Sequence, residues 1–158
     1  GGERPVRSLA AKDAKDAKDA KDAKDAKKNT VMDENELSNQ VIGAAIEVHR
    51  ALGPGLLESA YMACLAYELR TRGRKVETEV PIPIVYKGIR LECGYRLDMR
   101  VDDLVIVEGK ATEKLVPINE AQLHSHIKLA GLKVGLLINF NVLILKNGIK
   151  RIVNNFPD

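Results

Sequence analysis

The run Leu104-Val105-Ile106-Val107 passes without a break into Glu108-Gly109-Lys110, and Asp98 stands ten residues before Glu108. A short continuous apolar run reads as a strand buried on both faces. Two carboxylates and a lysine at the end of such a strand are costly unless they are paired or bind a metal. The pattern points to a site for a hard cation and a phosphate.

The register of one hairpin decides whether these side chains meet. Along Tyr95–Val101 the odd positions Tyr95, Leu97, Met99 and Val101 are apolar, and the even positions Arg96, Asp98 and Arg100 are charged. That alternation predicts a strand with one core face and one polar face. On the next strand Ile106, Glu108 and Lys110 share a face. A two-residue loop at Asp102-Asp103 would set Asp98 opposite Val107 and Leu97 opposite Glu108, burying charge against apolar side chains. A three-residue loop, Asp102–Leu104, sets Val101 opposite Val105 and Asp98 opposite Glu108. A one-residue slip exchanges the faces, so burial selects the second register. Carboxylates directly opposite one another repel. A divalent cation relieves the repulsion, and an all-oxygen donor set favours Mg²⁺ or Mn²⁺ over zinc. The residues alone equally allow a structural cluster in which Lys110 neutralises the pair.

At 158 residues the chain fits one domain plus a tail. Its two cysteines, Cys64 and Cys93, are too few for a four-ligand zinc cluster and read as free thiols in a reducing, cytoplasmic setting. No apolar stretch approaches membrane-spanning length. Residues 1–31 carry nine Lys/Arg and six Asp/Glu, whereas residues 32–158 carry sixteen of each sign. The folded part is therefore not globally basic, and nucleic-acid contact must rest on local patches. Candidates are Arg70, Arg72, Arg74 and Lys75, or Lys146, Lys150 and Arg151, with solvated surface as the blander reading. A Gly-rich phosphate loop, a nucleophile elbow and a cysteine triad are all missing from the sequence.

Residues 11–25 are five copies of Ala-Lys-Asp. A three-residue period makes no apolar stripe, so residues 1–31 are expected to be a disordered or non-native low-complexity tail, with Met32 as the natural start. The domain is expected over 32–158. Asp33-x-x-Glu36 resembles a capping box, and Leu37, Val41, Ala44, Val48 and Leu52 recur at helical spacing, predicting a helix over 34–51. Gly53-Pro54-Gly55 breaks it, and a second helix runs from Leu56 to Arg72 with Gly73 as its stop. Strands are predicted over Val76–Val80, Ile82–Tyr86, Ile89–Cys93, Tyr95–Val101 and Leu104–Ala111. Pro117 opens a third helix that Gly131 ends. Lys133–Phe140 and Val142–Lys146 read as strands, and Asn147-Gly148 as a hairpin into Ile149–Val153. This order predicts an α/β (α+β) mixed sheet flanked by helices.

Several strings together resemble a known family. They are Gly55-x-x-Glu58-x-x-Tyr61, the preceding Ile46–Pro54, Tyr95-Arg96-Leu97-Asp98, Glu108-x-Lys110-Ala111, Glu120-Ala121-Gln122-Leu123 and Gly135–Phe140. From Met32 to about Phe156 the chain is similar to the GxxExxY proteins, a family assigned to the PD-(D/E)XK nuclease superfamily. The resemblance implies that Asp98, Glu108 and the carbonyl of Gly109 hold Mg²⁺ or Mn²⁺, and that Lys110 is the catalytic lysine. It further implies catalytic roles for Glu58, as an extra carboxylate, and for Gln122. Two positions depart from the family. Gly109 stands where a large apolar residue is usual, which would cost the strand a core side chain, and His126 stands where tyrosine is typical.

Glu58 shares a helix face with Tyr61, Leu65 and Leu69. It reads as a metal or water ligand, or as a charge favoured by the helix N-terminus. Tyr61 reads as a core residue whose hydroxyl finds a partner such as Glu58. His49 is expected to favour the negative end of the first helix. Gln122 and His126 are one turn apart, and His126 reads as a packing histidine or as a phosphate contact. The resulting expectation is a Mg²⁺-dependent nuclease acting on DNA or RNA, without a membrane partner and with homodimerisation left open. The alternative is a non-catalytic module that kept the nuclease fold and binds nucleic acid or protein. A small-molecule phosphate site is a third reading.

Overall fold

The computed structural model describes residues 32–156; the Ala-Lys-Asp tail lies outside the described residues. Helix α1 spans Glu34–Leu52 and α2 spans Glu58–Thr71. Strands β1 (Val76–Tyr86), β2 (Ile89–Val101) and β3 (Val105–Lys110) follow. Helix α3 (Pro117–Ala130) leads to β4 (Val134–Asn139), a 3₁₀ turn (Leu145–Gly148) and β5 (Ile149–Val153). The sheet order is β1-β2-β3-β4-β5; β3 and β4 are parallel and every other pair is antiparallel. Helices α1 and α2 pack on each other and on β3, while α3 packs on β4, β5 and β1. No helix among the described residues is long and apolar enough to cross a membrane.

The predicted helical stripe is buried at Leu37, Val41, Ala44 and Val48, but Leu52 is exposed at its end. Gly131 ends α3 in the left-handed conformation, φ 71°, where glycine carries no Cβ penalty. Pro117 opens the same helix, where its missing N–H costs nothing. Strand β3 lies in the middle of the sheet, and Val105, Ile106 and Val107 are all fully buried, as a run covered on both faces requires.

Four short strands predicted over 76–101 are two long ones. Strand β1 runs through Pro81 and Pro83 because it is an edge strand, with a register shift between Ile82 and Ile84. Strand β2 continues through Gly94, φ 80°. The strand predicted over Val142–Lys146 is absent; a bend and the 3₁₀ turn occupy it. His49 explains the difference. Its Nε2–H donates to the Val142 carbonyl at 2.8 Å, so the segment is held to α1 rather than paired in the sheet. Asn147-Gly148 is accordingly not a hairpin. Gly148 packs against the Asn139 carbonyl so closely that a Cβ would collide with it.

The β2–β3 connection has the three-residue form. Val101 faces Val105, Arg100 faces Ile106 and Met99 faces Val107. Asp102 and Asp103 both take positive φ, 52° and 55°, and the Leu104 N–H donates to the Val101 carbonyl at 3.0 Å. Ion pairs hold the turn: Arg74 with Asp102 at 2.9 Å and Lys75 with Asp103 at 2.9 Å. Arg70 donates to the Val76 carbonyl and Arg72 pairs with Glu68. The basic cluster at 70–75 thus braces the fold. In the second cluster Arg151 donates to Asn35 and stacks on Phe156, and Lys150 lies 3.9 Å from Glu120.

The start of α2 is fixed by Tyr61. Its ring is fully buried and stacks on Phe140 at 4.6 Å. Its hydroxyl donates to the Gly53 carbonyl at 2.5 Å and accepts the Leu56 N–H at 3.0 Å, so its partner is the turn backbone and not Glu58. This clip orients the first turn of α2, where Glu58 sits. Tyr61→Phe keeps the stacked ring but strands a carbonyl and an N–H. It should cost about 1–3 kcal/mol in urea unfolding, and an unchanged midpoint would show that the clip contributes nothing.

Candidate active site

The site lies where the sheet splits. Strict alternation would put Leu97 on the face of Met99 and Val107, opposite Ile106. Instead Leu97 and Ile82 join Ile106, Leu137, Leu123 and Ile127 in one buried cluster beneath α3. The face therefore switches between Met99 and Leu97, at Asp98. Across β1 from Asp98 the paired positions skip Glu79, whose φ is 52°. A non-glycine residue in the left-handed region inside a strand is strained, and here it turns the β1–β2 ribbon over. Tyr95, expected on the core face, is consequently 48% exposed and lies beside α3.

The switch frees Asp98 from the ladder. Continued in register, the Gly109 N–H would bond to the Leu97 carbonyl; it donates instead to Asp98 Oδ2 at 3.1 Å. The N–H and C=O of a strand residue face the same neighbour, so the Gly109 carbonyl also faces this gap. On the other side of β3, the Lys110 carbonyl accepts the Phe140 N–H at 2.9 Å. Burial holds the Asp98 carboxyl above its usual range, opposed by the Gly109 N–H and reinforced by Glu108 and Glu79.

Glu58 reaches the same place from α2. It lines a cavity of about 210 Å³ with Met62, Thr78, Glu79 and Asp98. Burial raises its pKa first, Asp98 raises it further, and Lys110 opposes them. Glu108 comes from the α3 face and is 5% exposed. Its Oε2 takes a short hydrogen bond from His126 Nδ1. Lys110 follows two residues later on that face, and among the described residues no carboxylate forms an ion pair with its ammonium. Asn139, paired with Lys110 across β4, is 1% exposed and clamps the chain beyond it. Its Oδ1 accepts the Thr112 N–H and its Nδ2 donates to the Thr112 carbonyl, both at 3.0 Å.

Asp98 and Glu58 thus line one cavity, Glu108 and Lys110 act on their charge from the α3 face, and the Gly109 backbone stands between Asp98 and Glu108. Gln122 is not joined to them; it is exposed one turn before His126 and lines a separate cleft. His126 is neither a plain packing residue nor free for phosphate, because it is bonded to Glu108. The strain at Glu79 has no sequence signal: in Val76-Glu77-Thr78-Glu79-Val80 it reads as an ordinary outward strand residue. The space at Gly109 is not empty. Met62 fills it, with its Sδ 2.5 Å from where a Cβ would stand, so the strand keeps a packed core despite the glycine.

The atoms that could hold a cation here are all oxygens: the carboxylates of Asp98 and Glu108, the Gly109 carbonyl and, nearby, Glu58. Among the described residues no three His, Cys, Asp or Glu side chains form a ready-made cation cage. Mg²⁺ commonly keeps several waters and takes only one or two carboxylates. The set fits that hydrated mode, with one Glu108 oxygen shared with His126.

A family model described as the PD-(D/E)XK nuclease superfamily matches residues 35–152. The chain belongs to that superfamily, and its mixed five-stranded sheet with three helices is that fold. No curated protein and no solved structure matches the chain.

Two predictions follow from these contacts. Gly109→Leu should destabilise by about 1–3 kcal/mol through collision with Met62, and adding Met62→Ala should recover much of the loss. Strictly additive losses in urea unfolding would mean the two positions do not share one space. The hydrogen bond to Glu108 raises His126 above its ordinary 6.5, outweighing burial. Its stabilisation is therefore complete below the unfolded-state pKa and fades as pH rises through the folded one. The stability difference between wild type and His126→Gln in EDTA should shrink from about pH 5 to 9. A flat difference would mean that no charged pair forms.

Proposed function

We propose that this domain is a Mg²⁺- or Mn²⁺-dependent nuclease that hydrolyses phosphodiester bonds in nucleic acid, and that within its superfamily it belongs with the GxxExxY proteins. One observation carries the reading: Asp98 leaves its strand ladder, binds the Gly109 N–H and lines one cavity with Glu58, with Glu108 close enough to act on its charge. A structural charge cluster would not need the strained turn at Glu79 that releases Asp98.

Asp98, Glu108 and the Gly109 carbonyl would hold the cation. When bound, it offsets the carboxylate repulsion, polarises the phosphate and acidifies a water. Lys110 orients the attacking water and stabilises charge developing on the phosphoryl oxygens. Glu58 positions water from the α2 side. Its raised pKa brings it closer to the range in which a carboxylate exchanges protons. His126 keeps the Glu108 carboxylate in place between turnovers.

The His126–Glu108 bond also favours one rival, a non-catalytic module in which histidine has taken over the carboxylate. A cleavage panel over single- and double-stranded DNA and RNA with Mg²⁺ or Mn²⁺ separates the two. The nuclease reading expects cutting that falls roughly 100-fold or more in Lys110→Ala and Asp98→Asn. It also expects Mg²⁺ to raise the melting temperature of wild type but not of Asp98→Asn. Equal cutting by the variants, or none by any protein, would refute it.

A further inference from the structure

Another cavity lies between α3 and the β1–β2 ribbon, with a volume of about 330 Å³. That is the lower end for ligand clefts, ~300–1,000 Å³, room for a planar ring but not for a duplex. Ile118, Gln122, His126 and Leu129 follow one stripe of α3 and form one wall. Ile84 and Tyr95 of the ribbon form the other. The turn-over at Glu79 and Asp98 brings Tyr95 here, with its ring 6.1 Å from that of His126 and edge-on to it. Ile118 is 64% exposed and Tyr95 48%, so the aromatic and apolar surfaces are open, with the Gln122 amide at their side. Flat apolar faces with polar groups at one edge match a purine or pyrimidine ring.

The cleft adjoins the candidate active site, because His126 lines it while bonded to Glu108. Charge supplies the second argument. Residues 32–158 carry sixteen charges of each sign, and the cluster Arg70–Lys75 is spent on internal contacts. A domain without net positive charge gains little from phosphate attraction alone, which gives contacts to the bases a larger share of the grip on a strand.

We propose that this cleft binds one unpaired nucleobase beside the scissile phosphate, stacked on Tyr95, so that the substrate is single-stranded where it is cut. The inference rests on the nuclease reading above and narrows its substrate class. The base is the shared chemistry of DNA and RNA.

Binding can be read apart from cutting. The full chain carrying Lys110→Ala is titrated, in Mg²⁺, against short fluorescent oligonucleotides of DNA and of RNA, and against the same strands made abasic. Adding Tyr95→Ala should weaken binding of an intact strand roughly ten-fold and leave the abasic strand unchanged, while Tyr95→Phe should bind like tyrosine. The DNA and RNA arms show which sugar is accepted, and a base-dependent loss in either supports the cleft. Equal loss on intact and abasic strands, no loss on either, or failure of Tyr95→Phe to restore binding would overturn it. If Lys110-dependent cutting is seen but Tyr95 has no base-dependent effect, only the cleft assignment falls. If no strand is bound or cut, both readings fall.

Discussion

One rung of the β2–β3 ladder is closed by a side chain instead of a carbonyl. Asp98 Oδ2 accepts the Gly109 N–H at 3.1 Å, and beyond that point β2 leaves β3. A strand end normally satisfies its N–H groups with backbone or water. Using a carboxylate costs its desolvation, visible in the raised pKa of Asp98. What the substitution achieves is a gap in the middle of a sheet, lined by backbone oxygen and flanked on both faces by helices. Glu58 enters it from one face and Glu108 from the other. The strain at Glu79, φ 52°, belongs to the same event, since without it the ribbon would carry on flat and Asp98 would remain in register.

Everything around the gap serves to hold it open. Tyr61 clips the turn before α2, so Glu58 starts a helix whose direction is set. Met62 occupies the space that Gly109 leaves. Asn139 ties down the chain that follows Lys110. The arginines and lysines at 70–75 anchor the far end of the β2–β3 hairpin, which keeps the register from slipping. A slip of one residue would exchange the faces of β3 and carry Glu108 away from α3 and His126. The positive charge at 70–75 is thus committed to architecture, whereas Lys110 has no ion pair among the described residues and acts on the charge of Asp98 and Glu58.

Much of this was legible in the residues. The three helices, the buried central strand and the three-residue hairpin followed from apolar periodicity and from matching faces across Val101 and Val105. The PD-(D/E)XK resemblance pointed to the superfamily that the match over 35–152 shows. The failures were of one kind. Reading Val142–Lys146 as a strand ignored a partner ninety-three residues away, the His49 imidazole. Reading Tyr95 as core assumed that alternation persists through Asp98. Gln122 shares its stripe of α3 with His126 but lines the neighbouring cleft, while Leu123 and Ile127 are the side chains that dock.

Local chemistry in the sequence was enough to specify where helices begin and end, which strand is central and in what register it pairs, because those depend on burial patterns within a few residues. It also singled out Asp98, Glu108 and Lys110 as the charged side chains around the end of the central strand. The place where the sheet turns over was decided only in three dimensions. That event needs a strained residue on β1, a carboxylate on β2 and a glycine on β3 to meet across two ladders, and no periodicity along one segment can register a coincidence among three.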